Sequence, residues 1–224
     1  MTHPLSETLM ISIDEMGENH IMTSVETPMR SDAFDLTDDE KISQIEVKFR
    51  EIMETLGLDL TDDSLSGTPH RVAKMYVKEI FSGLDPANKP DVKLFENKYG
   101  YDQMLLEKNI TFYSNCEHHF VPIIGKAHIA YISNGKVVGL SKLNRLVEYF
   151  AKRPQVQERL TMQIGKELRK VLGTDDVAVL IDATHLCVSS RGVRDVNSST
   201  VTAYYSGSFL SDKTKNEFLK YLDL

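Results

Sequence analysis

The feature that most constrains this chain is the placement of its two cysteines. Cys116 begins the run Cys-Glu-His-His, and Cys187 ends the run His-Leu-Cys, so each thiol lies close to a histidine. Zinc prefers thiolate and imidazole ligands, and a zinc site with three protein ligands keeps one position open for water. The spacing therefore predicts a catalytic zinc site held by Cys116, His119 and Cys187, and a fold that brings these distant segments together.

Two further histidines, His118 and His185, are then left beside the metal. Imidazoles that lie next to a metal-activated water without binding the metal are candidate general acids and bases. Glu117 adjoins His118 in the sequence and can orient a neighbouring group. Each part alone has an ordinary interpretation, since a single cysteine is most often a buried free thiol. The combination in a chain with only two cysteines favours the metal site.

A set of basic residues predicts a site for a highly charged anion. A helix is expected from Ser141, whose hydroxyl can cap it, and a helix N-terminus with basic side chains is a ready phosphate site. The alternative for this helix is an ordinary solvated amphipathic face. The candidate cations are Arg71, Lys74, Lys142, Arg145 and Arg191.

Gln157 and Glu158 open the next predicted helix and are candidates for recognising a purine base. A carboxylate that accepts two N–H donors suits guanine. The alternative for Glu158 is that it complements the helix dipole, which is worth about 0.3–1 kcal/mol.

The formal net charge of −7 argues against a general nucleic-acid binder, although a local basic pocket can still hold an anionic small ligand. No apolar run approaches the length of a membrane span, and the first residues lack the pattern of a secretory signal. Two cysteines do not make a disulfide framework. We therefore expect a cytoplasmic protein with no membrane and no nucleic-acid partner.

The chain divides into three predicted regions: an acidic arm (1–36), a helical region (37–97) and a main domain (98–224). The arm is expected to be a loosely ordered, solvated tail. In the helical region, a capping-box pattern begins at Thr37, and Thr68 is expected to cap a second helix with Pro69 at its first position.

The main domain is predicted to contain two strands, two helices and two more strands, followed by a short helix capped by Thr214. Because alternate residues of a strand share a face, His185 and Cys187 are expected on one side of a single strand. The predicted strands are 110–115, 120–132, 177–189 and 195–205, and the predicted helices are 141–152, a second ending at Gly173, and 214–222.

Several motifs in order closely resemble those of the GTP cyclohydrolase I family, from about residue 40 to the end of the chain. They are Thr-Pro-His-Arg-Val-Ala-Lys-Met-Tyr at 68–76, Cys-Glu-His-His-Phe at 116–120, Gly-Leu-Ser-Lys-Leu-Asn-Arg at 139–145, Arg-Pro-Gln-Val-Gln-Glu-Arg-Leu at 153–160 and His-Leu-Cys-Val-Ser-Ser-Arg-Gly at 185–192.

This resemblance implies an α+β tunnelling fold, in which four antiparallel strands and two antiparallel helices form the core unit. It also implies a toroidal homodecamer of two stacked pentamers, with one Zn²⁺ per subunit and active sites between subunits. The implied reaction converts GTP and water to 7,8-dihydroneopterin triphosphate and formate, the first step of tetrahydrofolate and pterin biosynthesis.

The resemblance also implies roles for the candidate residues. His185 would donate a proton to N7 of the purine, His118 would handle protons at the ribose ring oxygen, and Ser141 would assist the later rearrangement. Glu158 and Gln157 would hold guanine, and the cations named above would hold the triphosphate. Two alternatives remain: a non-catalytic, zinc-stabilised ring that binds purines or partners, and a related tunnelling-fold enzyme for another pterin or purine.

Overall fold

The structure is a computed structural model that describes residues 23–223. Most of the predicted acidic arm, residues 1–22, lies outside the described residues. The helices are α1 Asp38–Thr55, α2 Asp63–Ser66, α3 Thr68–Met75, α4 Leu140–Ala151, α5 Gln157–Leu172, α6 Leu186–Ser189 and α7 Asp212–Leu222. The strands are β1 Leu94–Glu96, β2 Met104–Cys116, β3 Pro122–Ile132, β4 Lys136–Val138, β5 Pro154–Gln155, β6 Val177–His185 and β7 Thr200–Tyr205.

The main sheet has the strand order β5-β2-β3-β6-β7. Its four long strands are antiparallel, whereas the two-residue β5 runs parallel to β2 and pairs Gln155 with Cys116. The chain is therefore of the α+β class, and the predicted order of strands and helices is confirmed. A second sheet pairs β1 with β4. It was not predicted, because β1 lies in residues 37–97, which were expected to form a helical region.

Helices α4 and α5 pack on the main sheet. Their apolar stripes follow the helical period, so Leu143, Leu146, Leu160, Ile164 and Leu168 are all buried in one core cluster with the inward side chains of the strands. Burial of each such side chain contributes about 1.5–3 kcal/mol. This packing fixes the start of α5 beside the ends of β2 and β6.

Helices α1 and α3 pack together in the N-terminal region. The predicted capping box of α1 is confirmed, because the Thr37 hydroxyl accepts from the Glu40 N–H and the Glu40 carboxylate accepts from the Thr37 N–H. Helix α3 continues into a π-helical turn, Tyr76–Ile80. Among residues 23–223, no helix has both the length and the apolar character needed to cross a bilayer.

Three predicted caps are wrong. Gly67, not Thr68, is the N-cap of α3, and the Thr68 hydroxyl accepts from Arg71 instead. Helix α4 begins at Leu140 after Gly139, so Ser141 lies inside the helix and does not cap it. Ser211 caps α7 by accepting from the Thr214 N–H.

The strand predicted over 177–189 ends at His185. Beyond Ala183, β6 has no partner on its β7 side, because β7 begins only at Thr200 and pairs there with Ala183. The chain then forms the helical turn α6, where the Ser190 hydroxyl donates to the Leu186 carbonyl. Cys187 therefore lies on this turn and not on a strand face with His185. The strand predicted from Asp195 likewise begins five residues later.

Candidate functional site

The predicted ligands come together at one end of the main sheet. Cys116 ends β2, His119 lies in the turn to β3, and Cys187 lies on α6 after β6. Because β3 lies between β2 and β6, this arrangement brings the distant segments together. One ligand atom from each residue lies within 4.8 Å of the other two. Ligand atoms around tetrahedral zinc are about 3.5–3.8 Å apart, so small shifts complete the site.

A tight turn holds the two ligands of the first segment. The Phe120 N–H donates to the Cys116 carbonyl at 2.8 Å, and the Cys116 N–H donates to the Val121 carbonyl at 2.9 Å. The Asn115 side chain also donates to the Phe120 carbonyl, and Phe120 has a left-handed backbone with φ of 54°. These bonds fix the spacing of Cys116 and His119.

The surroundings of Cys187 disfavour a second thiolate beside Cys116. Burial and the neighbouring Cys116 thiol raise the pKa of Cys187, because two thiolates close together repel. Arg191 acts in the opposite direction and also contacts His119, with 2.9 Å between its Nη1 and the His119 Nε2. A divalent cation would relieve the repulsion between the two thiolates.

His185 is oriented by Gln157. The Gln157 amide nitrogen donates to the Ile181 and Thr200 carbonyls, which can only accept, so its Oε1 must face His185. That oxygen lies 2.7 Å from the His185 Nε2, which therefore carries a proton. Burial lowers the pKa of His185, and Glu158 acts in the opposite direction.

The Gln157 side chain is buried, whereas Glu158 is exposed in the first turn of α5. The structure thus separates two residues that were predicted to act together on a base. The exposed Glu158 carboxylate is accessible to a ligand from solvent, whereas the Gln157 amide already forms hydrogen bonds with His185 and with backbone carbonyls of the sheet.

Glu117 forms a partly buried ion pair that was not predicted. Its carboxylate accepts from both terminal nitrogens of Arg159, at 2.6 and 3.2 Å. His118 is adjacent, with its Nε2 3.8 Å from the Glu117 carboxylate and its Nδ1 3.7 Å from the Cys116 sulfur. The sequence carries no local signal for this pair, because Arg159 in α5 and Glu117 after β2 are far apart along the chain.

Of the predicted cations, Arg191 lies at the cluster. Lys142 and Arg145 lie on α4, near Ser141, and Arg145 lines a cavity of about 560 Å³ together with Lys78 and Lys152. Arg71 and Lys74 lie on α3, where Arg71 donates to the Ser64 carbonyl. That these cations share one site stays a prediction.

Comparisons with known proteins give a consistent result. The sequence model of a family described as GTP cyclohydrolase I matches residues 45–223. The chain is similar to the GTP cyclohydrolase 1 of Flavobacterium johnsoniae, with 61% identity over 212 residues and 95% of each chain covered. It is also similar to that of Aeromonas salmonicida, with 56% identity over 87% of this chain and 89% of the relative. The Escherichia coli protein of the same name is 53% identical over 89% of this chain and 90% of its own length.

Proposed function

The chain belongs to the GTP cyclohydrolase I family and is a hydrolase, and on that premise we propose that it converts GTP and water to 7,8-dihydroneopterin triphosphate and formate in a zinc-dependent reaction. This is the first step of tetrahydrofolate and pterin biosynthesis. The observation that carries the proposal is the cluster of Cys116, His119 and Cys187 beside an oriented His185.

Cys116, His119 and Cys187 would hold one Zn²⁺ per subunit. The donor set fits zinc, because two thiolates and one imidazole leave a position open for a non-protein ligand. Zinc bound there supplies Lewis-acid activation of water for attack at C8 of the purine. Zinc is favoured over harder cations because thiolates are soft ligands.

His185 is assigned proton transfer at N7 of the purine. Gln157 holds the Nε2 proton of His185, which leaves Nδ1 as the nitrogen able to gain and give a proton. We therefore assign the Gln157 side chain to orienting His185. His118 is assigned proton transfer at the ribose ring oxygen, and Ser141 the later rearrangement of the opened sugar.

Glu158 is assigned recognition of guanine, whose N1–H and amino group both point to one edge. The exposed carboxylate can accept both hydrogen bonds, and charge-assisted bonds of this kind are strong. Arg71, Lys74, Lys142, Arg145 and Arg191 are assigned to the triphosphate. Their wide distribution over three elements suits a site completed by a neighbouring subunit.

We propose the tunnelling fold and a homodecamer of two stacked pentamers as the assembly. β7 pairs only with β6 in the described part of the chain, so its outer edge is open to another strand. We also propose three regions in the chain: an acidic arm (1–36), a helical region (37–97) and a catalytic domain (98–224). Free thiols at Cys116 and Cys187 suit a cytoplasmic enzyme.

The test of base recognition is Glu158→Ala in the zinc-loaded protein. We expect the KM for GTP to rise at least about tenfold, because guanine loses a charge-assisted pair of hydrogen bonds. Formate release over a range of GTP concentrations measures this. Lys170→Ala, an exposed change in the same helix, is the control and should leave KM unchanged. Unchanged kinetics in Glu158→Ala would refute the assignment.

A further inference from the structure

Arg159 links the predicted acidic arm to the segment that carries two metal ligands. Its side chain is only 3% exposed. The two terminal nitrogens donate to both carboxylate oxygens of Glu117, and the Nε donates to the Ser24 carbonyl at 2.8 Å. Each of the three guanidinium nitrogens therefore donates to a partner, and one of the partners belongs to the arm.

A second chain of hydrogen bonds runs parallel to the first. The Glu26 carboxylate accepts from the Gln163 amide at 2.6 Å, and the Gln163 oxygen accepts from the Gln155 amide at 2.9 Å. The Gln155 carbonyl in turn accepts from the Glu117 N–H at 3.0 Å. Gln155 and Gln163 are both buried, so water does not compete for the bond between them, whereas Glu26 is exposed.

Both chains end on the same residue. Arg159 holds Glu117 through its carboxylate, and Gln155 holds it through its backbone. Glu117 lies between Cys116 and His118 in the sequence. A bidentate arginine fixes the direction of a carboxylate as well as its position. Partners bonded directly to metal ligands change metal affinity by about 10–100-fold, and we expect a smaller effect here because both chains act through Glu117, which is not a ligand.

We propose that residues 24–26, which we call the strap, position the metal loop, residues 116–119, through Arg159 and Gln163. The inference rests on the proposed function, because it assumes that the metal loop binds zinc. Arg159 and Gln163 are positioning residues: Arg159 contacts Glu117 of the loop directly, and Gln163 acts on it through Gln155. Ser24 and Glu26 are exposed, as expected for a solvated arm, but their hydrogen bonds connect this part of the arm to α5.

The first test is Glu26→Ala, with Glu26→Gln as the conservative variant that keeps an oxygen acceptor for Gln163. Zinc affinity is measured by competition with a chromophoric chelator, and site geometry by the visible spectrum of the Co²⁺-substituted protein. We expect Glu26→Ala to weaken zinc affinity at least about fivefold and to change the Co²⁺ spectrum, and Glu26→Gln to restore both. Asp32→Ala, an exposed change in the same arm, is the control.

Arg159→Lys gives the second test, because lysine keeps the charge but cannot form the bidentate pair. We expect a larger loss of zinc affinity, and at saturating zinc a lower kcat with the KM for GTP unchanged. Thermal unfolding of the metal-free variants reports any general loss of folding. Wild-type zinc affinity and Co²⁺ spectra in Glu26→Ala would overturn the proposal, as would equal effects of Glu26→Gln and Glu26→Ala.

The two proposals fail in different ways. A wild-type protein that binds zinc at this site but releases no formate from GTP would overturn the proposed function alone, since the strap is still measured by zinc affinity and Co²⁺ spectra. A wild-type protein that binds no zinc would overturn both.

Discussion

At the scale of single residues, the two histidines of the main sheet that carry perturbed pKa values have different surroundings. His185 lies at the end of β6 and bonds to the Gln157 amide. His128 lies within β3, where its Nδ1 accepts from the Asn109 N–H at 3.4 Å. That bond requires a neutral Nδ1, so His128 is a structural residue whose protonation costs stability.

The pKa of His128 is lowered because burial disfavours the charged imidazole. Asp182 opposes this effect, whereas Lys108 and Lys126 add to it. The unfolded chain therefore takes up a proton near pH 6.5 that the folded chain takes up only at lower pH. It follows that this residue's contribution to folding stability is complete above pH 6.5 and is lost as the pH falls below it.

We therefore predict that the free energy of unfolding falls less between pH 7.5 and pH 5.5 in His128→Gln than in the wild type. Glutamine can still accept from the Asn109 N–H but does not titrate. Urea unfolding of the metal-free proteins at one fixed chain concentration measures this. Identical pH dependence in the two proteins would contradict the assignment.

Some residues of the site were predictable from the sequence because their chemistry is local. Cys116 and His119 are separated by a spacing that suits one metal, and Cys187 was the only other thiol. The partnership of Arg159 with Glu117 was not predictable, since nothing local relates a residue of α5 to the turn after β2. The same holds for the amide of Gln157, whose burial depends on the sheet beneath it.

At the scale of elements, α5 packs closely against β7 at Gly165. A Cβ on Gly165 would lie 2.2 Å from the ring of Tyr204. The close approach holds the first turn of α5, with Gln157 and Glu158, against the sheet next to the metal ligands. The glycine is therefore required by packing and not by backbone conformation.

Gly165→Ala should lower the free energy of unfolding by about 1–3 kcal/mol, because the added methyl overpacks the interface between helix and sheet. Alanine otherwise favours a helix, so a stabilising result would show that Tyr204 moves aside freely. Urea unfolding of the metal-free protein measures the change. Lys166→Ala, the exposed neighbour, should stay within about 0.5 kcal/mol of the wild type.

The elements themselves followed largely from sequence patterns. The capping box at Thr37 and the apolar spacing of α4 and α5 predicted those helices. The cap of α7 was wrong because two hydroxyl residues, Ser211 and Thr214, lie within one turn, whereas the caps of α3 and α4 were wrong because a glycine occupies the cap position. The predicted end of β6 was wrong because the strand ends close to where its pairing with β7 ends, and that pairing is a non-local property.

At the scale of the whole molecule, the proposed enzyme and the alternative of a zinc-stabilised binding ring differ in what zinc does for the protein. A zinc-stabilised binding ring would need the metal for assembly, because structural zinc contributes directly to folding. In the described chain, the two cysteines of the metal cluster lie at the end of an extensive apolar core that is otherwise built from side chains that do not bind metal. The proposed enzyme therefore needs zinc for turnover and not for folding.

Chelation should accordingly abolish formate release while the oligomer stays largely assembled. Sedimentation velocity before and after removal of zinc measures the assembly, and the same samples give the activity. Return of activity on adding Zn²⁺ is the control for irreversible damage. Dissociation or unfolding in step with zinc loss would favour the binding-ring alternative.

The central claim is that this chain opens the purine ring of GTP at a zinc site served by His185. The most direct measurement follows formate release and pterin absorbance together in the zinc-loaded wild type and in His185→Ala, with zinc content determined in both. The account predicts that formate and pterin appear together in the wild type, and that both are lost in His185→Ala although zinc is retained. Near wild-type formate release by His185→Ala, or no formate from a zinc-loaded wild type, would contradict it.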